Sequence, residues 1–167
     1  MAAKHNNKYL TFLLGEEDYG ISIVEVKEII GIMQITHIPK MAEYVKGVIN
    51  LRGKIIPVVD LRIKFGLEER EYDDRTCIIV GEVLSEEGVR LIGFIVDEVS
   101  EVLDILPQNM EKISEYASEQ SQEFLKGLGK VNDKVVMLLD CGSIFGDDDK
   151  AKMEAESQLI EQELELA

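Results

Sequence analysis

The chain has 167 residues, 46% apolar and 31% charged, with 18 basic against 33 acidic side chains and a formal net charge of −15. That balance belongs to soluble globular proteins of one domain or two small ones rather than disordered or fibrous chains, and an acidic surface excludes nucleic acid and anionic lipid, which select basic stripes. No run approaches the roughly 20 apolar residues of a membrane span, and residues 1–8 are a short polar leader lacking the apolar centre of a signal peptide, so a flexible N-terminus, a cytoplasmic location and no membrane insertion are predicted.

Tyr9 to Leu14 is an apolar run, residues 15–18 (Gly-Glu-Glu-Asp) make a turn, and Tyr19 to Ile23 resumes as a second strand. From Val24 to Ile30, Val26, Ile29 and Ile30 fall at helical spacing with Glu25 and Glu28 on the other side, which predicts a short helix or an irregular turn. Ile35 to Pro39 reads as extended, because the residue before proline avoids the α region.

The stretch from Val45 to Gly66 organises the chain. Val48, Ile49 and Leu51 precede Arg52-Gly53, and Ile55, Ile56, Val58 and Val59 follow Lys54, a β-branched pattern around a turn that predicts a hairpin. Gly53 supplies the positive φ of a tight turn, and Arg52 is held out at the tip. Pro57 can donate no ladder hydrogen bond, so its strand belongs at a sheet edge or carries a bulge. Asp60 then caps one helical turn over Leu61 to Phe65, which Gly66 ends in the left-handed conformation.

Residues 68–75 are charged and aperiodic, a link between two modules. Thr76 to Glu82 and Val89 to Val96 flank a turn at Ser85-Glu86-Glu87-Gly88, and Val99 to Leu106 is strand up to Pro107. Residues 108–123 form a polar insertion with Met110, Ile113 and Tyr116 at three-residue spacing, in partial surface contact, and Leu125 to Leu139 is a second hairpin. Residues 147–167 are an acidic, helix-prone tail in which Met153, Ile160 and Leu164 make one thin apolar stripe, suited to a solvated helix or to a docking one.

The hairpin unit occurs twice. At an offset of 80, Lys46-Gly47 falls on Lys126-Gly127, Lys54-Ile55-Ile56 on Lys134-Val135-Val136, Val58-Val59-Asp60 on Leu138-Leu139-Asp140 and Phe65-Gly66 on Phe145-Gly146. Gly20, Glu25-Val26 and Glu28-Ile29 match Gly93, Glu98-Val99 and Glu101-Val102 at 73, and Phe12 to Gly15 resembles Ile78 to Gly81 at 66. Shared strand composition explains the Val and Ile matches but not those of Gly, Lys and Asp, so one module copied once is the reading, with added length in loops.

Enzyme motifs are absent: no glycine-rich phosphate loop, H-E-x-x-H, G-x-S-x-G or dinucleotide fingerprint. His5 and His37 build neither a triad nor a metal site, and Cys77 and Cys141, without partners at metal or redox spacing, read as buried reduced thiols, so no cofactor and no metal is predicted. Glu25 with Glu28, and Glu98 with Glu101, read as solvated faces of an acidic protein. Asp60 and Asp140 occupy equivalent places, and a pair sharing one proton would make an acid hydrolase. Their contexts, Asp60-Leu61-Arg62 and Asp140-Cys141-Gly142, lack the Asp-Thr-Gly or Asp-Ser-Gly turn, and capping is the simpler reading. Arg52, on a rigid hairpin, suits an interaction anchor.

Gly47-Val48-Ile49-Asn50-Leu51-Arg52-Gly53, followed by Ile56-Pro57-Val58-Val59-Asp60-Leu61-Arg62, resembles the signature of the CheW family of bacterial chemotaxis coupling proteins, and the likeness runs from about Tyr9 to Gly146. It implies a mainly β fold of two small five-stranded β-barrel subdomains packed side by side, with short helices and a C-terminal helix. One subdomain spans about 9–67 and the other about 76–146, with strand exchange between them left open. It further implies a non-enzymatic scaffold without cofactor that holds the cytoplasmic tip of methyl-accepting chemoreceptors and the regulatory domain of the CheA histidine kinase on separate faces, in receptor arrays at the membrane. By the same resemblance Gly47, Asn50, Arg52 and Gly53 match positions tied to coupling, Val26 and Glu28 match positions at the receptor or kinase surface, and Tyr116 stands where an aromatic contacts a kinase domain from the other side. A scaffold of this type serving a kinase pathway other than motility is the alternative.

Overall fold

Runs of β-branched and aromatic residues cut by Gly, Asp and Asn turns favour strands, and strands dominate the chain. A computed structural model describes residues 7–85, 88–115 and 124–144. In order, the strands are β1 (Lys8–Leu14), β2 (Glu17–Ser22), β3 (Val26–Gly31), β4 (Val45–Leu51), β5 (Lys54–Asp60), β6 (Cys77–Ser85), β7 (Gly88–Val96), β8 (Glu98–Asp104), β9 (Met110–Glu111), β10 (Leu125–Val131) and β11 (Lys134–Leu139). One α-helical turn, α1 (Leu61–Lys64), follows β5, and 3-10 turns lie at Ile23–Glu25, Pro107–Asn109, Ile113–Glu115 and Cys141–Ser143.

The strands form two β subdomains. One is a six-stranded sheet in the order β8-β1-β2-β11-β10-β9, the other a five-stranded sheet in the order β3-β6-β7-β5-β4. The mainly β, two-part fold is as predicted, but the ladders stop short of closed barrels. In the five-stranded sheet, Thr36 pairs with Val48 on the outer side of β4 through two backbone bonds of 2.8 and 2.9 Å. In the six-stranded sheet, β9 takes the corresponding place on β10, pairing Glu111 with Leu128. A two-residue strand in one sheet and a single bridge in the other account for six strands against five.

The internal repeat is visible in backbone detail. β4 and β5 lose register between Val45 and Gly47, and β10 and β11 lose it between Leu125 and Gly127. β5 runs parallel to β7 with Val58 opposite Gly93, as β11 runs parallel to β2 with Leu138 opposite Gly20. The first hairpins, however, align differently from the predicted offset of 66. Phe12 pairs with Val99 as Gly81 pairs with Val26, so Phe12 corresponds to Gly81, 69 positions on. Short apolar runs resemble one another at several shifts, and only the ladder fixes the true one. Phe145, Gly146 and the tail stripe of Met153, Ile160 and Leu164 lie outside the described residues.

Two local predictions change. The short helix expected over Val24 to Ile30 is confined to the 3-10 turn, and the rest is β3, whose burial alternates strictly as it pairs with β6; β-branched Val26, Ile29 and Ile30 fit a pleated edge better than a helix. Pro57 lies in an interior strand, yet the ladder with β7 begins only at Val58, and opposite it Val48 turns its N–H and C=O to Thr36. The missing N–H is therefore not called upon, and the bulge sits in β4 instead, opposite Val58 and Val59.

Apolar side chains gather in three clusters. The largest joins the sheets, bringing Phe12, Leu14, Ile21 and Leu139 of one against Ile79 and Phe94 of the other. Smaller ones fill each subdomain: Ile49, Ile56, Val58, Ile78, Val80 and Ile95 in one, Tyr9, Ile105, Val136 and Leu138 in the other. An aromatic column, Phe12–Tyr19–Phe65–Phe124, with ring centroids 5.9, 5.6 and 4.8 Å apart in turn, runs through partners of the main cluster. The offset-stacked geometry suits their ring quadrupoles.

Candidate partner-binding surface

The β4–β5 tip is built by its sequence. Arg52 and Gly53 adopt φ of 51° and 89°, the left-handed pair that a two-residue hairpin turn requires. The Asn50 side chain locks it, its Oδ1 accepting from the Gly53 N–H at 2.9 Å. Arg52 is thus projected outward with 69% of its side chain exposed. It is not solitary there: its guanidinium pairs with the Glu28 carboxylate on β3.

β3 and β4 are opposite edges of the five-stranded sheet, so the Arg52–Glu28 pair joins the two edges by side chains where no ladder does. Glu28 lies on the half-buried side of β3 with Val26 and Ile30, whereas Lys27 and Ile29 face solvent. Val24 and Ile32, at either end of β3, are exposed as well. Lys27 also lies near Glu82, 3.9 Å away.

Gly47 stands apart from the tip. It is buried at φ 141°, and a Cβ placed on it would overlap the Thr36 carbonyl oxygen and lie 2.7 Å from its carbonyl carbon and 3.1 Å from the His37 Cα. Glycine here lets the loop after β3 press against β4, so its effect on the surface is made through the backbone. Of the residues singled out from sequence, Glu28 and Arg52 meet, Asn50 and Gly53 bond to each other, and Val26 is half-buried against the main cluster. Tyr116 lies outside the described residues.

Asp60 is 1% exposed; its Oδ1 accepts from the N–H groups of Arg62 and Ile63 at 2.9 and 3.4 Å, and its Oδ2 accepts from the Tyr72 hydroxyl at 2.9 Å. Asp140 accepts from the Gly142 N–H at 3.1 Å and from the Ser143 hydroxyl at 2.9 Å. Each carboxylate is committed to its own helical turn, an arrangement that excludes the proton-sharing pair of an acid hydrolase. Burial, and then the neighbouring Asp60, push the Tyr72 phenol upward from its ordinary value.

Asp97, between β7 and β8, was not singled out from sequence. Its Oδ2 takes the Arg62 guanidinium at 2.6 Å, the Gly15 N–H at 2.8 Å and Arg70 at 3.5 Å. The Arg62 and Asp97 side chains are only 16% and 11% exposed. One carboxylate thereby fixes the β1–β2 turn, α1 and the charged link. The sole sequence signal was an acidic residue between two strands, which loops supply routinely. Of the cysteines, Cys141 is buried as predicted, whereas Cys77 is half-exposed on the strand that carries β3.

Among the described residues no helix is long and apolar enough to cross a membrane. The family model for the CheW-like domain matches residues 8–149. The chain is 38% identical over 144 residues to a chemotaxis protein CheW of Klebsiella aerogenes, covering 86% of this chain and 84% of that one. It is 31% identical to a chemotaxis protein CheW of Rhizobium meliloti, covering 89% and 96%. Among solved structures, the scaffolding protein TtCheW from Thermoanaerobacter tengcongensis superposes with a TM-score of 0.77 at 35% identity, over 86% of this chain and 95% of that one.

Proposed function

We propose, from the premise that this chain belongs to the CheW-like domain family, that it is a non-enzymatic adaptor coupling the cytoplasmic tips of methyl-accepting chemoreceptors to the regulatory domain of a CheA-type histidine kinase. The observation that carries the reading is the family match across nearly every described residue. The surface supports it: a rigid tip presents a cation, and the half-buried carboxylate beside it fixes where that cation stands.

The mechanism is geometric. Two subdomains sharing one core offer separate faces that cannot shift freely against each other, so the placement of one partner constrains the other. Individual contacts can be weak, because in a receptor array later encounters become intramolecular at high effective concentration. Arg52, Glu28 and Val26 form the contact surface, Asn50 and Gly53 shape the tip, and Gly47 holds the loop behind it. Tyr116 is assigned to the kinase on the strength of the family position. Association with receptor arrays at the membrane follows from those partners.

The test is kinase control in arrays reconstituted from receptor cytoplasmic fragments, a CheA-type kinase and this protein. Arg52→Ala should leave stability within about 1 kcal/mol, as an exposed pair contributes little, yet abolish receptor control. The double exchange Glu28→Arg with Arg52→Glu separates two roles. Restored control means that the pair matters only to the fold, and control that stays lost means that the cation itself meets a partner. Unchanged control in Arg52→Ala refutes the assignment.

A further inference from the structure

Each half of the repeat supplies a first hairpin, a lone strand and a second hairpin: β1–β2, β3 and β4–β5 before the link, β6–β7, β8 and β10–β11 after it. Neither sheet is made by one half. The six-stranded sheet combines the first hairpin of the early half with the lone strand and second hairpin of the late half, and the five-stranded sheet does the reverse. Apart from the short β9 on β10 and the single Thr36–Val48 bridge, ladders within a half are, among the described residues, only those inside its hairpins. The ladders that join hairpins into sheets, β1 with β8, β2 with β11, β3 with β6 and β5 with β7, all cross between halves.

The main core follows the same rule, with Leu10, Phe12, Val45 and Val59 from the early half packed among Ile79, Phe94 and Leu139 from the late one. Removing either half leaves two separate hairpins and an unpaired strand, and isolated hairpins are marginal in water. The link contributes no strand. It lies over the surface, held by Lys46–Glu69 at 2.6 Å, Arg62 Nε to the Glu68 carbonyl at 2.9 Å, and Tyr72 to Asp60.

We propose that this chain is an intertwined dimer of half-chains fused into one polypeptide: each half is the other's obligate folding partner, and the link at residues 67–75 is dispensable for keeping them assembled. The module before duplication would then have been a homodimer exchanging hairpins with a second copy of itself. The inference is independent of the adaptor role.

The test inserts a site-specific protease sequence after Glu71 in the full chain, or after Gly66 should the first insertion prevent folding, and cuts the folded protein. The halves should co-elute one to one with unchanged far-ultraviolet circular dichroism. Urea should separate them and remove the strand signal at one shared midpoint. That midpoint should fall on dilution by the equivalent of a tenfold change in the equilibrium constant per tenfold dilution, while the uncut protein shows no such dependence. A half that keeps strand signal after separation, a transition independent of concentration in the cut protein, or loss of folding with both insertions would overturn the proposal.

Discussion

Gly47→Ala tests whether the loop behind the tip is held as the geometry requires. The new methyl carbon would meet the Thr36 carbonyl carbon at 2.7 Å, well inside the ~3.5–4.0 Å at which carbon atoms rest. Its neighbours are backbone, so relief must come from moving the loop or β4, which breaks the paired bonds of 2.8 and 2.9 Å between Thr36 and Val48. Two such bonds contribute about 1–3 kcal/mol, and holding an L-residue in that φ region costs about 1–3 kcal/mol more. A loss of about 2–6 kcal/mol should appear as a lower urea midpoint, with faster amide exchange at Thr36 and Val48. The equivalent Gly127→Ala is an internal control: its Cβ would lie 3.1 Å from the Glu111 carbonyl oxygen, so a clearly smaller loss is expected. A loss under about 0.5 kcal/mol for Gly47→Ala, or a larger one at Gly127, refutes the reasoning.

Asp97→Ala strands the Arg62 guanidinium in a site little reached by water and removes the acceptor of the exposed Gly15 N–H; a loss of about 2–4 kcal/mol by urea denaturation is expected, because one partner of a shielded pair is left without the other. Tyr72→Phe removes a donor from the buried Asp60 carboxylate and should cost about 1–2 kcal/mol, with the fold intact by circular dichroism. Burial, and then Glu25 and Asp140, push the Cys141 thiol upward. The folded state therefore keeps a proton that the unfolded chain releases above about pH 8.5. Stability should be full below that pH and then fall by up to about 1.4 kcal/mol per pH unit. Cys141→Ala should flatten the decline between pH 8.5 and 10, and Tyr72→Phe should lessen it above about pH 10; urea midpoints from pH 7 to 11 decide both.

The hairpins were legible because their signals are local: Gly53 at a tip, Asp60 before a helical turn, β-branched residues on either side. The repeat was legible at its second hairpin, where Gly, Lys and Asp stand at fixed places, and misaligned at its first, where Phe12 to Gly15 and Ile78 to Gly81 are little more than apolar runs. β3 was misread because three apolar residues at helical spacing also suit a short edge strand. Strand partners were not legible, since a ladder is made by backbone groups common to every residue. Arg52 drew notice from its hairpin tip and Glu28 from the family resemblance, but 24 residues separate them, and only the curl of the sheet makes them a pair. The node at Asp97 is hidden for the same reason, its partners being brought in by turns distant in sequence.

The turns at Arg52-Gly53 and Asn132-Asp133 share a backbone shape, all four residues having positive φ. Their chemistry has diverged: one tip offers Arg52 and Lys54, the other sets Asp133 beside Lys134. Two tips that were true copies would greet the same visitor at either one. With a different charge on each, a molecule that recognises one tip finds no second berth at the other, and a doubled backbone keeps a single address.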